Sequence, residues 1–395
     1  MFELTDDKLR ELGALNTTRE ISNQPRLWRE TFDLYAGQKD KIAEFLSALD
    51  STKSKALEGK RVRVVFTGAG SSEYIGATVT PFLNATGDRE RFTFESVATT
   101  DIVASPDLYL YENEPTILVS FARSGNSPES IATVDIANSR VKNIRHILIT
   151  CAADGELAVK YGNADNALLL LQPADSNDKG FAMTGSFTCM MLTALLAFST
   201  VRDDNLHELQ RAVNAVADLG ESVINRESII AALPENVERI VYVGSGGFKG
   251  IAREAQLKVL ELTAGKIATV WDSSMGFRHG PKSFINSKTL VIGFVSSNNY
   301  TRQYDIDLLN EVATDKIAQK VIAVTADKLP ADFTADAFEF QHAESVADAF
   351  LALPYIAFGQ VVALNASIGV GNTPDTPSKS GTVNRVVQGV VIHNE

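Results

Sequence analysis

Between two apolar stretches of the 395-residue chain lies Arg123-Ser124-Gly125-Asn126-Ser127-Pro128, a run whose residue types suit anion capture. The residues before it, Thr116 to Phe121, read as a buried strand, and a helix that starts near Pro128 carries Ile131, Val134 and Ile136. Proline suits a first helical position, where the amide it lacks would have no partner. Hydroxyls, backbone amides and Arg123 are thus gathered at the amino end of a helix, where the dipole and the unpaired N–H groups favour negative charge. Each charge-assisted hydrogen bond contributes roughly 1.5–3 kcal/mol, so Arg123, Ser124, Ser127 and a few amides can hold a phosphomonoester. The same run also meets the needs of an ordinary turn and helix cap. On its own the loop leaves both readings open.

A second set of ionisable groups lies further along. Glu254, Lys258 and Glu261 fall at i, i+4 and i+7 in a helical pattern from Ile251 to Leu262 and share one face. Taken alone, this row reads as a surface ion pair contributing roughly a few tenths of a kcal/mol. Met275-Gly-Phe-Arg-His-Gly-Pro-Lys-Ser283 follows, a loop dense in glycine and proline that carries His279, one of five histidines. An imidazole on a structured loop, titrating near neutrality, is a better acid-base candidate than His207 on a helix surface. His146 opens an apolar strand and reads as structural.

The elements that must position these groups recur. Arg61-Val-Arg-Val-Val-Phe-Thr-Gly-Ala-Gly-Ser-Ser72 is a strand, a glycine turn and the start of a helix over Tyr74 to Leu83, and Arg239 to Gly247 echoes it. Thr116 to Phe121 is matched by Thr289 to Ser297, His146 to Asp154 by Lys320 to Asp327, and Asn166 to Leu171 by Ala335 to Phe340. Each fourth strand leads into a long apolar helix, Met183 to Phe198 or Val346 to Leu364. Such a recurrence in one order is a tandem duplication, and apolar runs without alternation, separated by helical patterns, predict parallel sheets covered on both faces. The fold class is α/β. A helical amino-terminal arm is expected over 1–54, with a helix start at Asn23-Gln-Pro-Arg26, then units over 55–210 and 211–370 and a tail over 371–395. Ligands bind beyond the carboxyl ends of parallel strands, so Gly68 to Ser72 and Ser124 to Ser127 should face one crevice. Ser296-Ser-Asn-Asn-Tyr300 lacks the glycine and the proline, and only the first copy reads as a phosphate cup.

Composition narrows the classes. An apolar fraction of 45% and a charged fraction of 22% belong to a globular chain long enough for two cores. A net charge of -12 without a basic patch argues against nucleic acid. Cys151 and Cys189 sit in apolar contexts, which favours free thiols and a reducing cytoplasm. No Cys/His cluster has metal spacing, and the acidic amino terminus has no signal-peptide core. Phe181 to Val201 is uncharged, but its threonines and serines favour a buried helix over a membrane span. The dinucleotide fingerprint fails at its third glycine, replaced by Glu73 and Lys249, and the P-loop pattern is absent, so no cofactor is expected.

The duplicated unit, the Ser-Gly-x-Ser loop, the Glu-Ala-x-Leu-Lys-x-x-Glu helix and the His-Gly-Pro loop together resemble the sugar isomerase (SIS) family. The resemblance covers about Lys55 to Gly381 and extends to the isomerase half of glucosamine-6-phosphate synthase. Gly276 to Ser283, Gly371-Asn-Thr-Pro-Asp-Thr-Pro377 and Gly381 to Gly389 resemble the AgaS-type branch, described as D-galactosamine-6-phosphate deaminases or tagatose-6-phosphate ketose/aldose isomerases. By that resemblance Ser72, Ser124 and Ser127 are phosphate-binding hydroxyls, with Ser71 beside them and Arg123 where the synthase has an amide. Glu261 is the carboxylate that moves a proton between C1 and C2, Lys258 the lysine one turn before it, and His279 the ring-opening imidazole. Glu261 and His279 stand further apart here than in the synthase. Lys379 falls where the synthase has a tail lysine, in different surroundings, and the tail is expected to close the active site. The resemblance also implies a homo-oligomer, at least a dimer, in which His279 can serve a neighbouring protomer. The expected reaction is deamination of galactosamine 6-phosphate. A plain aldose/ketose isomerase is the nearer rival, and a non-catalytic sugar-phosphate sensor the rival of another class.

Overall fold

Apolar runs that end in glycine or a short polar turn become buried parallel strands, and the segments between them become helices that cover the sheet. The structure is a computed structural model and describes residues 1–49, 59–199, 206–231, 234, 236–343, 346–387 and 389–393. The chain opens with α1 (Asp6–Glu11) and α2 (Leu15–Ser47). The first repeat follows as β1 (Val62–Thr67), α3 (Ser71–Thr86), β2 (Phe92–Ser96), α4 (Thr99–Ala104), β3 (Thr116–Ala122), α5 (Pro128–Arg140), β4 (Ile144–Thr150), α6 (Glu156–Tyr161), β5 (Ala167–Leu171) and α7 (Gly185–Phe198). After α8 (Leu206–Asn225) and α9 (Glu227–Ala231) the second repeat runs β6 (Arg239–Gly244), α10 (Phe248–Leu262), β7 (Ala268–Asp272), α11 (Ser274–Phe277), β8 (Thr289–Phe294), α12 (Asn299–Asp315), β9 (Lys320–Thr325), β10 (Asp336–Glu339) and α13 (Asp348–Gly369).

The two sheets are ordered β2-β1-β3-β4-β5 and β7-β6-β8-β9-β10, the same order in each, and every pairing within them is parallel. The chain divides into two compact units. One gathers Leu27–Asn177, Gly185–His207 and Val383–Glu395 around the first sheet, and the other gathers Met1–Arg26, Asp178–Thr184 and Glu208–Thr382 around the second. In the first, Val65 and Leu118 pack against Ile102, Ala137 and Val141 on one face. On the other face Phe66 meets Phe121 at 5.9 Å and Phe198 at 5.5 Å. In the second, Val241 and Val291 pack with Leu309 and Val312, and Tyr242, Phe294 and Tyr355 stack opposite. Each of these large side chains contributes about 1.5–3 kcal/mol on burial.

Two expectations need amendment. The helix start expected at Asn23 to Arg26 is absent, because Pro25 lies inside α2. Proline removes the amide that would reach the Ile21 carbonyl, and the Gln24 side chain supplies the missing donor at 3.2 Å. The arm expected to reach 54 is described as helix only to Ser47; residues 50–58, with that boundary, lie outside the described residues. Strands β2 and β7 were not anticipated. Both are five-residue edge strands, and half-buried edges lack the continuous apolar run of a central strand. The expected buried helix is α7, all 14 residues of which are buried, while Thr200 and Val201 lie outside the described residues. Helix α13 is long and apolar enough to cross a membrane, but its apolar window is 83% buried inside the protein, as befits a core helix.

Candidate functional site

In the first unit the sheet order places β1 beside β3, with the chain leaving them towards opposite edges, and the loops that follow these two strands flank the switch point. Gly68 must be glycine, since a Cβ there would lie 2.6 Å from the Ser72 backbone and side chain. This close approach, with Gly70 at φ +58°, turns β1 tightly into α3. Ser71 and Ser72 therefore stand at the amino end of a 16-residue helix, both buried. After β3, Ser127 occupies the cap position of α5 with Pro128 first in the helix, and its side chain makes no capping hydrogen bond. Its hydroxyl is not spent on its own helix. Ser124 and Ser127 are partly exposed, and Gly125, at φ +68°, bends the loop between them. Arg123 is 8% exposed and donates from Nη2 to the Arg385 carbonyl at 2.7 Å.

Sequence reasoning missed the brace beneath this loop. The Gly125 carbonyl accepts from Leu157 N at 2.9 Å, and Asn126 Oδ1 from Glu156 N at 2.9 Å. A Cβ on Gly155 would fall 2.2 Å from the Ser124 carbonyl oxygen. The loop after β4 thus seats the loop after β3, and a glycine just before a helix was the available signal. Asn126, within the expected cup, is a structural acceptor.

In the second unit, α10 carries the ionisable row, and the structure overturns the surface reading of it. Glu254 and Lys258 are 0% and 1% exposed, while Glu261 keeps 24% of its side chain in solvent. Lys258 Nζ lies 3.1 Å from Glu254 Oε1 and 2.7 Å from Glu261 Oε2. Burial pushes the Lys258 pKa down, yet the two carboxylates outweigh it and hold the ammonium above its ordinary value. A charged lysine locked between one sealed and one accessible carboxylate fixes the accessible one in place, an arrangement suited to carrying a proton. The carboxyl end of α10 is tied as well: Asn372 Nδ2 and Ser367 Oγ donate to the Leu262 carbonyl at 2.9 and 2.6 Å.

The His279 loop is pinned from behind. Ser273 caps α11, Arg278 Nε donates to Glu311 at 2.7 Å, and Lys282 pairs with Asp315 at 2.6 Å and with Glu311. Gly280 takes φ +124°, leaving the His279 side chain exposed on a fixed turn. Lys379 is exposed in the tail. The structure therefore joins Lys258 to Glu261, and no hydrogen bond among the described residues links either to His279 or Lys379.

The SIS domain family matches residues 56–199, which include β1 to α7, and 235–331, which include β6 to β9. The chain belongs to the SIS family. Among SIS relatives, the D-galactosamine-6-phosphate deaminase AgaS of Escherichia coli is 43% identical over 380 residues, covering 95% of each chain. The protein of the same name from Shewanella sp. (strain ANA-3) is 36% identical over 392 residues, covering 99% of this chain and 95% of its own. A crystal structure of tagatose-6-phosphate ketose/aldose isomerase from Escherichia coli matches with a TM-score of 0.85 at 39% identity and covers 96% of both chains.

Proposed function

We propose that this protein converts D-galactosamine 6-phosphate and water to D-tagatose 6-phosphate and ammonia, without a cofactor. What carries the assignment is the row on α10, a solvent-touched Glu261 held by a sealed Lys258–Glu254 pair, in a chain related over nearly its whole length to AgaS deaminases. Ser72, Ser124, Ser127 and Arg123 hold the phosphate, with Ser71 in support. His279 donates a proton to the ring oxygen as the C1–O5 bond opens and the C1 hydroxyl gives up its proton, leaving the free aldehyde. Glu261 removes the proton from C2 while O1 takes one up, giving the enolamine, and returns the proton to C1 on the same face as the nitrogen gives up an N–H proton. The resulting C2 imine adds water and expels ammonia, leaving the ketose. A positioned acid and base of this kind each account for a factor of about 10²–10⁴. Lys258 orients Glu261, and Lys379 is the tail cation of the set. The assignment includes a cytoplasmic homo-oligomer, which sedimentation would test.

A second reading, aldose/ketose isomerisation without nitrogen chemistry, is favoured by the likeness to the tagatose-6-phosphate isomerase structure. Both reactions use the same proton transfer, so the test must follow nitrogen. Ammonia and ketose should form from galactosamine 6-phosphate, with glucosamine 6-phosphate as the epimer control and Glu261→Gln as the blank. Interconversion of tagatose and galactose 6-phosphates without ammonia would shift the assignment to the isomerase. Inactivity on every sugar phosphate would sink both.

A further inference from the structure

The loop after β8 is the second repeat's counterpart of the phosphate loop, and its donors are already taken. Ser297 donates from its backbone N and its Oγ to Asp348 Oδ1, at 2.7 and 2.6 Å, and Ser296 Oγ donates to Asp348 Oδ2. Ser296 N donates to Asp305 Oδ2 at 3.0 Å, and Ser245, in the glycine turn after β6, donates its hydroxyl to Asp305 Oδ1 at 2.6 Å. Ser274 Oγ also donates to Asp305 Oδ1. Asn298 caps α12 by accepting from Tyr300 N and Thr301 N, both at 3.1 Å. Hydroxyls and a backbone amide thus surround a carboxylate in the way such groups surround a phosphate.

The duplication shows what the first repeat has instead. Asp348 is the first residue of α13, and the counterpart of α13, the helix that follows the fifth strand of its sheet, is α7. The first residue of α7 is Gly185, which has no side chain to offer. The two repeats therefore differ at both partners of one contact: Ser296 and Ser297 meet an aspartate in the second, whereas in the first their counterparts are Arg123 and Ser124 and the matching helix starts with glycine.

We propose that the second repeat retains an anion-binding cup and closes it with its own carboxylate, Asp348, so that each chain takes one phosphomonoester rather than two. The ligand class of the cup, were it opened, is inorganic phosphate or a phosphomonoester, since three hydrogen bonds to one carboxylate can be remade to phosphate oxygens.

Isothermal titration of the full chain with inorganic phosphate tests this. Wild type should bind one phosphate per chain, and Asp348→Gly, which copies the first repeat, should bind two. Asp348→Asn keeps an acceptor in the cup and should still bind one. Two sites in wild type, or one in a folded Asp348→Gly protein, would overturn the proposal. If Asp348→Gly does not fold, Ser124→Ala/Ser127→Ala in the wild-type background decides. That variant should bind no phosphate. Residual binding with turnover lost would mean the second cup is open and the proposal wrong, whereas residual binding with turnover intact would count against the phosphate assignment of the first loop instead.

Discussion

At the scale of single residues, Lys258 shows how one buried cation can serve both chemistry and stability. A buried charge that loses its partner costs about 3–5 kcal/mol, and Lys258 is the partner of a carboxylate that is 0% exposed. Lys258→Met should lower folding stability by that amount, seen as a drop in the urea midpoint, as well as lower kcat. Glu254→Gln leaves Lys258 its shorter bond to Glu261 and should cost less in both respects. Glu261→Gln should keep the fold and reduce kcat by roughly 10²–10⁴ with KM little changed, because it removes proton transfer and not binding. Ser127→Ala should do the reverse. Losing one charge-assisted hydrogen bond of about 1.5–3 kcal/mol should raise KM about tenfold to a hundredfold and spare kcat. Steady-state kinetics on the sugar phosphate separates the two, and a Ser127→Ala protein with altered kcat and unchanged KM would contradict the role given to the loop.

At the scale of elements, the phosphate loop owes its shape to a neighbour. Gly155→Ala would drive a Cβ into the Ser124 carbonyl, and the loop must shift to relieve it. The expected outcome is a raised KM for phosphorylated substrate and for competing inorganic phosphate, with the carboxylate chemistry on α10 intact; unchanged phosphate affinity would show that α6 does not seat the loop. This brace illustrates what could be read from the chain beforehand. Strand–glycine–helix units, their duplication and the start of α5 at Pro128 follow from local periodicity and from proline, so they were legible. The burial of Glu254 and Lys258 was not, since i, i+4 spacing is the same on a wet face and a dry one; only the packing of α13 against α10 distinguishes them. Pro25 misled because the Gln24 side chain restores a hydrogen bond that proline normally abolishes. The roles of Asp348 and Asp375 were hidden for another reason. Asp375 caps α2, accepting from Asn16 N at 2.9 Å and Thr17 N at 2.8 Å across more than 350 residues, and no local pattern announces a partner so distant.

At the scale of the whole molecule, a half-buried carboxyl and a buried imidazole make the units respond to acid in opposite directions. Glu20, in the unit of the second sheet, accepts from Lys179 N and Gly180 N, yet burial and then the nearby Asp178 raise its pKa from 4.5 to about 7. The folded unit keeps a proton there that the unfolded chain releases near 4.5. Its stability is therefore greatest below pH 4.5 and falls as the pH rises towards 7, by about 3 kcal/mol if this group acted alone. His146, in the unit of the first sheet, bonds Asn138 at 3.0 Å, and burial lowers its pKa from 6.5 to about 4. The unfolded chain takes up a proton at 6.5 that the folded unit refuses, so this contribution is full above pH 6.5 and is lost as the pH falls towards 4. The chain has two tryptophans, and one belongs to each unit: Trp28 is buried with the first sheet, and Trp271 lies in β7 of the second. Single-tryptophan variants, Trp271→Phe and Trp28→Phe, let fluorescence follow the two units separately in urea. Between pH 6.5 and 4.5 the Trp28 midpoint should fall and the Trp271 midpoint should rise. His146→Gln should flatten the first response and Glu20→Gln the second, so midpoints that move together, or variants that leave the slopes unchanged, would show that these two groups do not control the pH response.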